Sequence, residues 1–415
     1  MGMSMRTNLE RIQRDIEALS AFNSTPGAGL TRFSFSEEHK KAQDYIVKQM
    51  EEAGLQVRID PCGTIIGRLE GEDPSAPSVM TGSHFDSVRN GGNFDGPAGV
   101  ITALETARVF HENGLKFRRP VEFIAMVEEE GARFGGGLFA SRAMTGRLTA
   151  QELATFRDGD GISTGEAMKA FGLDPDRFQE AVRKPGEIQN FIELHIEQGP
   201  ILEAEQKQLG IVETIVGIRE LEVNIHGRPD HAGTTPMNMR ADSFLAAART
   251  ALAATEAAVQ AGEGTVATVG KAQVLPGSFN IVAGTVTFFV DIRSRNKACI
   301  DQVEKAIREN LQKEAENPGI TWEIRVMMET DPVETDREVC RILEESAGEL
   351  GITSKRMLSG AGHDAMIMAD IAKIGLVFVP SKGGRSHCPE EWTDYDQLQK
   401  GVEVVCAAVE KLAKA

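Results

Sequence analysis

Residues 78–127, SVMTGSHFDSVRNGGNFDGPAGVITALETARVFHENGLKFRRPVEFIAMV, read as a strand, a Gly-rich loop, a helix and a second strand. The apolar runs at 78–83 and 121–127 bracket a helical stretch at 100–111. Two strands joined through a helical crossover lie parallel in one sheet. Parallel strands are covered on both faces, which agrees with short runs that lack regular polar–apolar alternation. Working outward, residues 55–59, 191–196 and 376–380 are further strands, and 36–53 has helical spacing with Ser36 as N-cap and Gly54 as stop. The pattern predicts an α/β fold with a mainly parallel sheet covered by helices.

Residues 217–328 read differently. Stretches 220–226, 265–274, 285–293 and 320–327 are strand-like, while 241–261 and 300–314 are helical. That order is β-α-β-β-α-β, the split βαβ pattern. The expected organisation is a catalytic domain at 1–215 and 331–415, interrupted by an inserted α+β domain at 216–330.

The chain has 415 residues, too many for one ordinary core, which agrees with two domains. Asp plus Glu outnumber Lys plus Arg by 62 to 45, a formal charge of −17 that argues against nucleic acid or anionic membrane as the main partner. No apolar run approaches a membrane span. The amino-terminal MGMSMRTNLERIQRD is charged and lacks the apolar core of a secretory signal. The five cysteines, Cys62, Cys299, Cys340, Cys388 and Cys406, are scattered without a CxxC pair, so a reduced, cytoplasmic setting is expected.

Four clusters carry the chemistry. GSHFDSVRNGGNFDGPAG at 82–99 follows a buried strand, and ligands in α/β folds bind at such carboxyl ends. His84 and Asp86, two apart, point to one side of an extended segment, so the carboxylate can fix the imidazole tautomer. The same stretch also fits a Gly-rich loop with capping Asp residues, although no GxxxxGK[ST] phosphate loop is present. VEEEGARFGGG at 127–137 places three Glu at the end of another buried strand. They are either a solvated acidic turn or a pair of roles, metal ligand and base, on neighbouring carboxylates. ELHIEQGP at 193–200 contains His195, which fits a core histidine or a ligand crowded by Glu193, Glu197 and Gln198. GGRSHCPEEW at 383–392 adds His387 beside Cys388, with no second thiol spaced for a zinc finger. Imidazoles, carboxylates and no paired thiols suit a catalytic Zn, Mn, Co or Ni site. The residues alone reach "metal hydrolase" and no further.

With all four clusters in order, the chain resembles the amidohydrolase branch of the binuclear metallopeptidases related to carboxypeptidase G. That branch includes N-carbamoyl-L-amino-acid hydrolases, allantoate amidohydrolases and beta-ureidopropionases. The motifs, spread over nearly the whole chain, are GSHFDSV, GGNFDGPAG, EEEGARF, ELHIEQG, HAGTTPM, SGAGHDA and SHCPEEW. The resemblance implies a metallopeptidase-like catalytic domain with a ferredoxin-like insertion that makes a homodimer. It implies two divalent ions per subunit held by His84, Asp95, Glu130, His195 and His387, with Asp95 bridging. It makes Glu129 the general base, and Asp86 the residue that orients His84. For the substrate it implies contacts with His231, Asn280 and Arg293 of the insertion, with Gln198 near the ureido end, and with a loop from Gly360 to His363. Without the family pattern, Arg293 is not separable from Arg295, because both fall on one face of the expected strand.

The implied reaction is hydrolysis of a ureido C–N bond in a small molecule, to an L-amino acid, CO2 and ammonia. Metal-acidified water, with Glu129 taking its proton, attacks the carbonyl. His231 stabilises the oxyanion and Arg293 holds the substrate carboxylate. FDGPAGV and EEGARFG favour the carbamoylase type, whereas GGNFDG and EEEG look like the allantoate type; beta-ureidopropionate is the third option. His195 discourages an aminoacylase or dipeptidase, because the peptidases carry an Asp at that position. A catalytically dead binding protein on this fold would have lost a ligand or the base, and every expected position is filled.

Overall fold

The structure is a computed structural model and describes residues 7–415. The reading of the first six residues as part of a charged, non-signal end lies outside the described residues. The chain divides into two compact units. One comprises residues up to Glu213 together with Thr335–Met357 and Gly362–Ala415; the other comprises Thr214–Glu334 and Leu358–Ala361.

The first unit is built on a mixed sheet. Its strands are β1 (Gln56–Ile59), β2 (Ile65–Leu69), β3 (Ser78–His84), β4 (Val121–Met126), β5 (Ile188–Ile196) and β6 (Leu209–Ile215). The same sheet also takes in β11 (Val333–Glu334), whose residues are counted with the second unit, and β12 (Ser354–Ser359) and β13 (Lys373–Val379), which follow it in the chain. The order is β1-β2-β4-β3-β5-β13-β6-β11, with β12 also paired to β6. The centre, β4-β3-β5-β13, is parallel, and the flanks run antiparallel. Strands β3 and β4 are buried at every residue, including the polar Ser78, Thr81, Ser83, His84 and Glu122, as expected of central parallel strands covered on both faces. The crossover helix Pro97–Glu112 is buried over nearly its whole length and opens with Pro97, whose missing N–H costs nothing at a first helical position. Register sets His84 beside Met126 on β4 and His195 beside Phe378 on β13, so the parallel strands end on one side of the sheet.

The second unit is a four-stranded antiparallel sheet in the order β10-β7-β9-β8. The strands are β7 (Gly217–His226), β8 (Val266–Leu275), β9 (Thr285–Ser294) and β10 (Thr321–Thr330), with helices Ser243–Ala261 and Lys297–Glu314 between them. β9 lies between β7 and β8 and runs opposite to both, which is the split βαβ topology. Val286, Phe288, Val290 and Ile292 of β9 face the core with Leu221, Val223, Ile225, Val303 and Ile307, while Asp291 and Arg293 take the other face.

Three details differ from the sequence reading. Leu358–Ala361 groups with the smaller unit, because Val216 N–H donates to Ser359 O at 3.0 Å and Arg293 Nη1 donates to Gly360 O at 2.8 Å. β9 ends at Ser294, so Arg295 lies past the strand rather than on the face of Arg293. Strands β2, β6, β11 and β12 and the helices Leu9–Ser20 and Tyr395–Lys414 go beyond the elements the sequence pattern predicts. All five cysteines are free, and no helix among the described residues is long and apolar enough to cross a membrane.

Candidate metal centre

His84 closes β3. Its Nδ1 lies 3.3 Å from the Asp86 carbonyl and 3.6 Å from Asp86 Oδ1, so the N–H sits on that side and Nε2 is left to bind. Nε2 faces Asp95 Oδ1 at 3.5 Å and Glu129 Oε2 at 3.8 Å. The ring packs on Gly96 so closely that a Cβ there would fall 2.4 Å from His84 Cε1, and Gly96 also needs φ +80. Asp86 also braces the neighbouring strand end. Its carboxylate accepts the backbone N–H of Glu129 at 3.1 Å and of Glu130 at 3.3 Å, tying the end of β3 to the turn after β4.

The turn after β4 separates the three glutamates. Glu128, at φ 54, is buried and accepts Phe134 N–H at 3.2 Å. Glu129 turns towards His84, and Glu130 towards His387 at 3.4 Å. His195, near the end of β5, donates Nδ1–H to Ile196 O at 2.9 Å and points Nε2 at Asp95 Oδ1, 3.0 Å away. His387 sets Nε2 3.2 Å from Asp95 Oδ2. Asp95 therefore gives one oxygen to His84 and His195 and the other to His387. Gln198 Nε2 and the Ser386 hydroxyl donate to that second oxygen at 2.7 Å and 2.9 Å.

These side chains offer three groups of ligand atoms within 4.8 Å of one another: His84–Asp95–His195, His84–Glu129–Glu130 and Asp95–Glu130–His387. The donor set fits divalent cations. Glu130 Oε1 is buried with no hydrogen-bond donor aligned on it, and a cation shared with His387 would satisfy both. The electrostatics agree. The neighbouring carboxylates of Asp95 and Glu130 push His387 up to about 11. Burial would lower His84, but Glu129, Asp86 and Asp95 outweigh it and hold it well above its ordinary value. The carboxylates that favour positive charge on these imidazoles would also favour a cation that displaces the proton. Burial, with Glu130 and Asp364 nearby, raises the Glu129 carboxyl well above the usual range against the pull of His84.

His363 packs beside the cluster. It is buried, with its ring edge-on to His195 at 4.6 Å between centroids. His231, Asn280, Arg293 and Gly360 belong to the smaller unit. His231 Nδ1 accepts the N–H of Gly233 at 3.0 Å and of Thr234 at 3.2 Å, which fixes the tautomer with Nε2–H outward. Asn280 braces the same loop through its carbonyl, which accepts Ala232 N–H at 2.9 Å. Arg293 holds Asp291 with two arms and the Gly360 carbonyl with the third.

Sequence reasoning missed Glu391 and Ser386, which contact the Asp95 and His387 loops. Glu193, which in sequence only crowds His195, is buried, accepting the Ser83 hydroxyl at 2.6 Å and Ala365 N–H at 3.0 Å. The available signal was position, since each lies within four residues of a site histidine.

A parallel sheet whose strand ends assemble imidazoles and carboxylates around a shared aspartate defines a metal-type hydrolase. The model of Peptidase family M20/M25/M40 matches residues 78–411, and the chain belongs to that family. An N-carbamoyl-L-amino-acid amidohydrolase of Paenarthrobacter aurescens is 46% identical over 407 residues, covering 98% of each chain. The allantoate amidohydrolase of Escherichia coli K12 is 34% identical over 405 residues, covering 97% of this chain and 98% of that protein. A crystal structure of an amidase of the hydantoinase/carbamoylase family from Burkholderia multivorans superimposes with TM-score 0.93 at 32% identity, over 100% of both chains. The protein is a hydrolase of linear amide C–N bonds acting on a small molecule.

Proposed function

We propose that the protein hydrolyses N-carbamoyl-L-α-amino acids with two divalent ions, held by His84, Asp95 and His195 and by Asp95, Glu130 and His387. The observation that carries this is the division of Asp95, one oxygen towards each set of histidines. The similarity to the Paenarthrobacter carbamoylase, higher than to the allantoate enzyme, supports the substrate class.

Bound divalent ions would acidify water and polarise the ureido carbonyl. Glu129 takes the proton of the attacking water and returns one to the leaving nitrogen, breaking the bond to the amino acid. The carbamate released decays to CO2 and ammonia. Asp86 holds His84 in one tautomer, and Gln198 and Ser386 hold Asp95. The outward Nε2–H of His231 donates to the developing oxyanion, and Arg293 receives the substrate carboxylate.

The active unit is a homodimer in which His231 serves the partner's site. The smaller unit carries an edge strand, β8, and a helix with Phe244, Leu252 and Val259 exposed, an apolar face suited to a second copy. The test of the metal reading is ammonia release from N-carbamoyl-L-methionine after chelation and after adding back Mn, Co, Ni or Zn. Chelation abolishes turnover and metal restores it; full activity in protein shown metal-free by elemental analysis overturns the reading.

A further inference from the structure

Glu391 is a carboxylate faced by four donors, one of which, the Ser386 hydroxyl, shares its single proton between Glu391 and Asp95. It is 3% exposed. Its Oε1 accepts the backbone N–H of Phe94 and of Asp95, each at 3.0 Å. Its Oε2 accepts the Ser386 hydroxyl at 2.8 Å and the His387 N–H at 3.3 Å. One oxygen thus holds the loop that carries Asp95, and the other holds the loop that carries His387. These loops are far apart in sequence, and Glu391 joins them through backbone groups as well as side chains. Room for it is made by Gly92, where a Cβ would fall 2.3 Å from the Glu391 carboxylate. Trp392 continues the brace, packing edge-on against Phe94 at 5.2 Å.

We infer that Glu391 is a positioning residue that sets the spacing of Asp95 and His387, and through it the Asp95–Glu130–His387 cation site. This rests on the two-ion reading above. The chemistry is specific to a carboxylate, because only two acceptor oxygens meet two pairs of donors. An amide cannot do so. In Glu391→Gln the oxygen remains on the two fixed N–H groups of Phe94 and Asp95. The NH2 then faces Ser386, whose hydroxyl rotates to accept, and the His387 N–H, which cannot. The loss therefore falls on the His387 side. The His84–Asp95–His195 group keeps its own supports at Asp86 and Ile196.

The test is a Co2+ titration of metal-free wild type, Glu391→Gln and Gly92→Ala, followed by heat and visible absorption, with folding checked by circular dichroism. Wild type binds two equivalents. Glu391→Gln binds one with unchanged affinity and the second about 10–100-fold more weakly, the usual effect of losing an outer-shell partner. Gly92→Ala shifts the same equivalent in the same direction, and it decides the matter if Glu391→Gln does not fold. A role confined to stability would lower the melting temperature and leave both equivalents intact in folded protein, which overturns the inference. Wild type binding fewer than two equivalents overturns the two-ion reading, and this inference with it.

Discussion

Arg293 closes its guanidinium fork on Asp291, Nε to Oδ1 at 2.9 Å and Nη2 to Oδ2 at 2.8 Å. The third arm rests on the Gly360 carbonyl at 2.8 Å. The fork thus already holds a carboxylate in its plane, and under the proposed function a substrate carboxylate would compete with Asp291 for it. Arg293→Ala is expected to lower kcat/KM for carbamoyl amino acids by about two to four orders of magnitude, the effect of losing one partner of such a pair. Arg295, past the end of β9 and 3.8 Å from Glu263, is expected to matter far less. Equal losses in Arg293→Ala and Arg295→Ala would show that Arg293 does not read the substrate.

Glu129→Gln keeps shape but cannot take the water's proton. It should bind metal and substrate normally and lose kcat by about two to four orders of magnitude. Near-normal kcat in Glu129→Gln, with Glu130→Gln inactive, would reverse the two roles. Mixed with a His231→Ala protein under demonstrated subunit exchange, Glu129→Gln should regain activity, since one site per heterodimer then has both groups. No recovery would place His231 in its own subunit's site or outside the chemistry.

His39 titrates in the folding equilibrium. It is fully buried between Phe85 and Phe171, and its Nδ1 accepts Phe35 N–H at 2.5 Å. Burial lowers it to about 3, with Arg32, Arg133 and Lys40 adding to that and Asp86 opposing it. The folded value is below the unfolded one, so the unfolded chain takes the proton first. The stability contributed by the neutral ring is whole above about pH 6.5 and is lost at about 1.4 kcal/mol per pH unit as pH falls from there towards 3. His39→Asn keeps an acceptor for Phe35 but does not titrate. In urea unfolding, the stability advantage of wild type over His39→Asn should shrink between pH 7 and pH 5; a constant gap would contradict the assignment.

The parallel centre and the split βαβ insertion were legible because short strand-like runs alternate with helical stretches in the first, and burial on one face leaves alternation in the second, as at β9. His84, Asp95, Glu129, Glu130, His195 and His387 were legible because they follow those runs in motifs. The place of Leu358–Ala361 was not, since it depends on hydrogen bonds to Val216 and Arg293, remote in sequence. Nor was Glu391, whose burial depends on contacts with the Gly92–Asp95 loop, remote in sequence. The packing of His363 on His195 and Phe378 was not legible either, since it depends on strands remote from it in sequence.

One comparison of substrates separates the carbamoylase reading from the allantoate one. On a single metal-loaded sample, kcat/KM is measured for N-carbamoyl-L-methionine, its D-enantiomer, N-carbamoyl-β-alanine and allantoate. The L-enantiomer is expected to lead all three. Allantoate ahead by more than about tenfold, a difference of about 1.4 kcal/mol in transition-state binding, would contradict the account and make the protein an allantoate amidohydrolase with Arg293 reading that substrate's carboxylate.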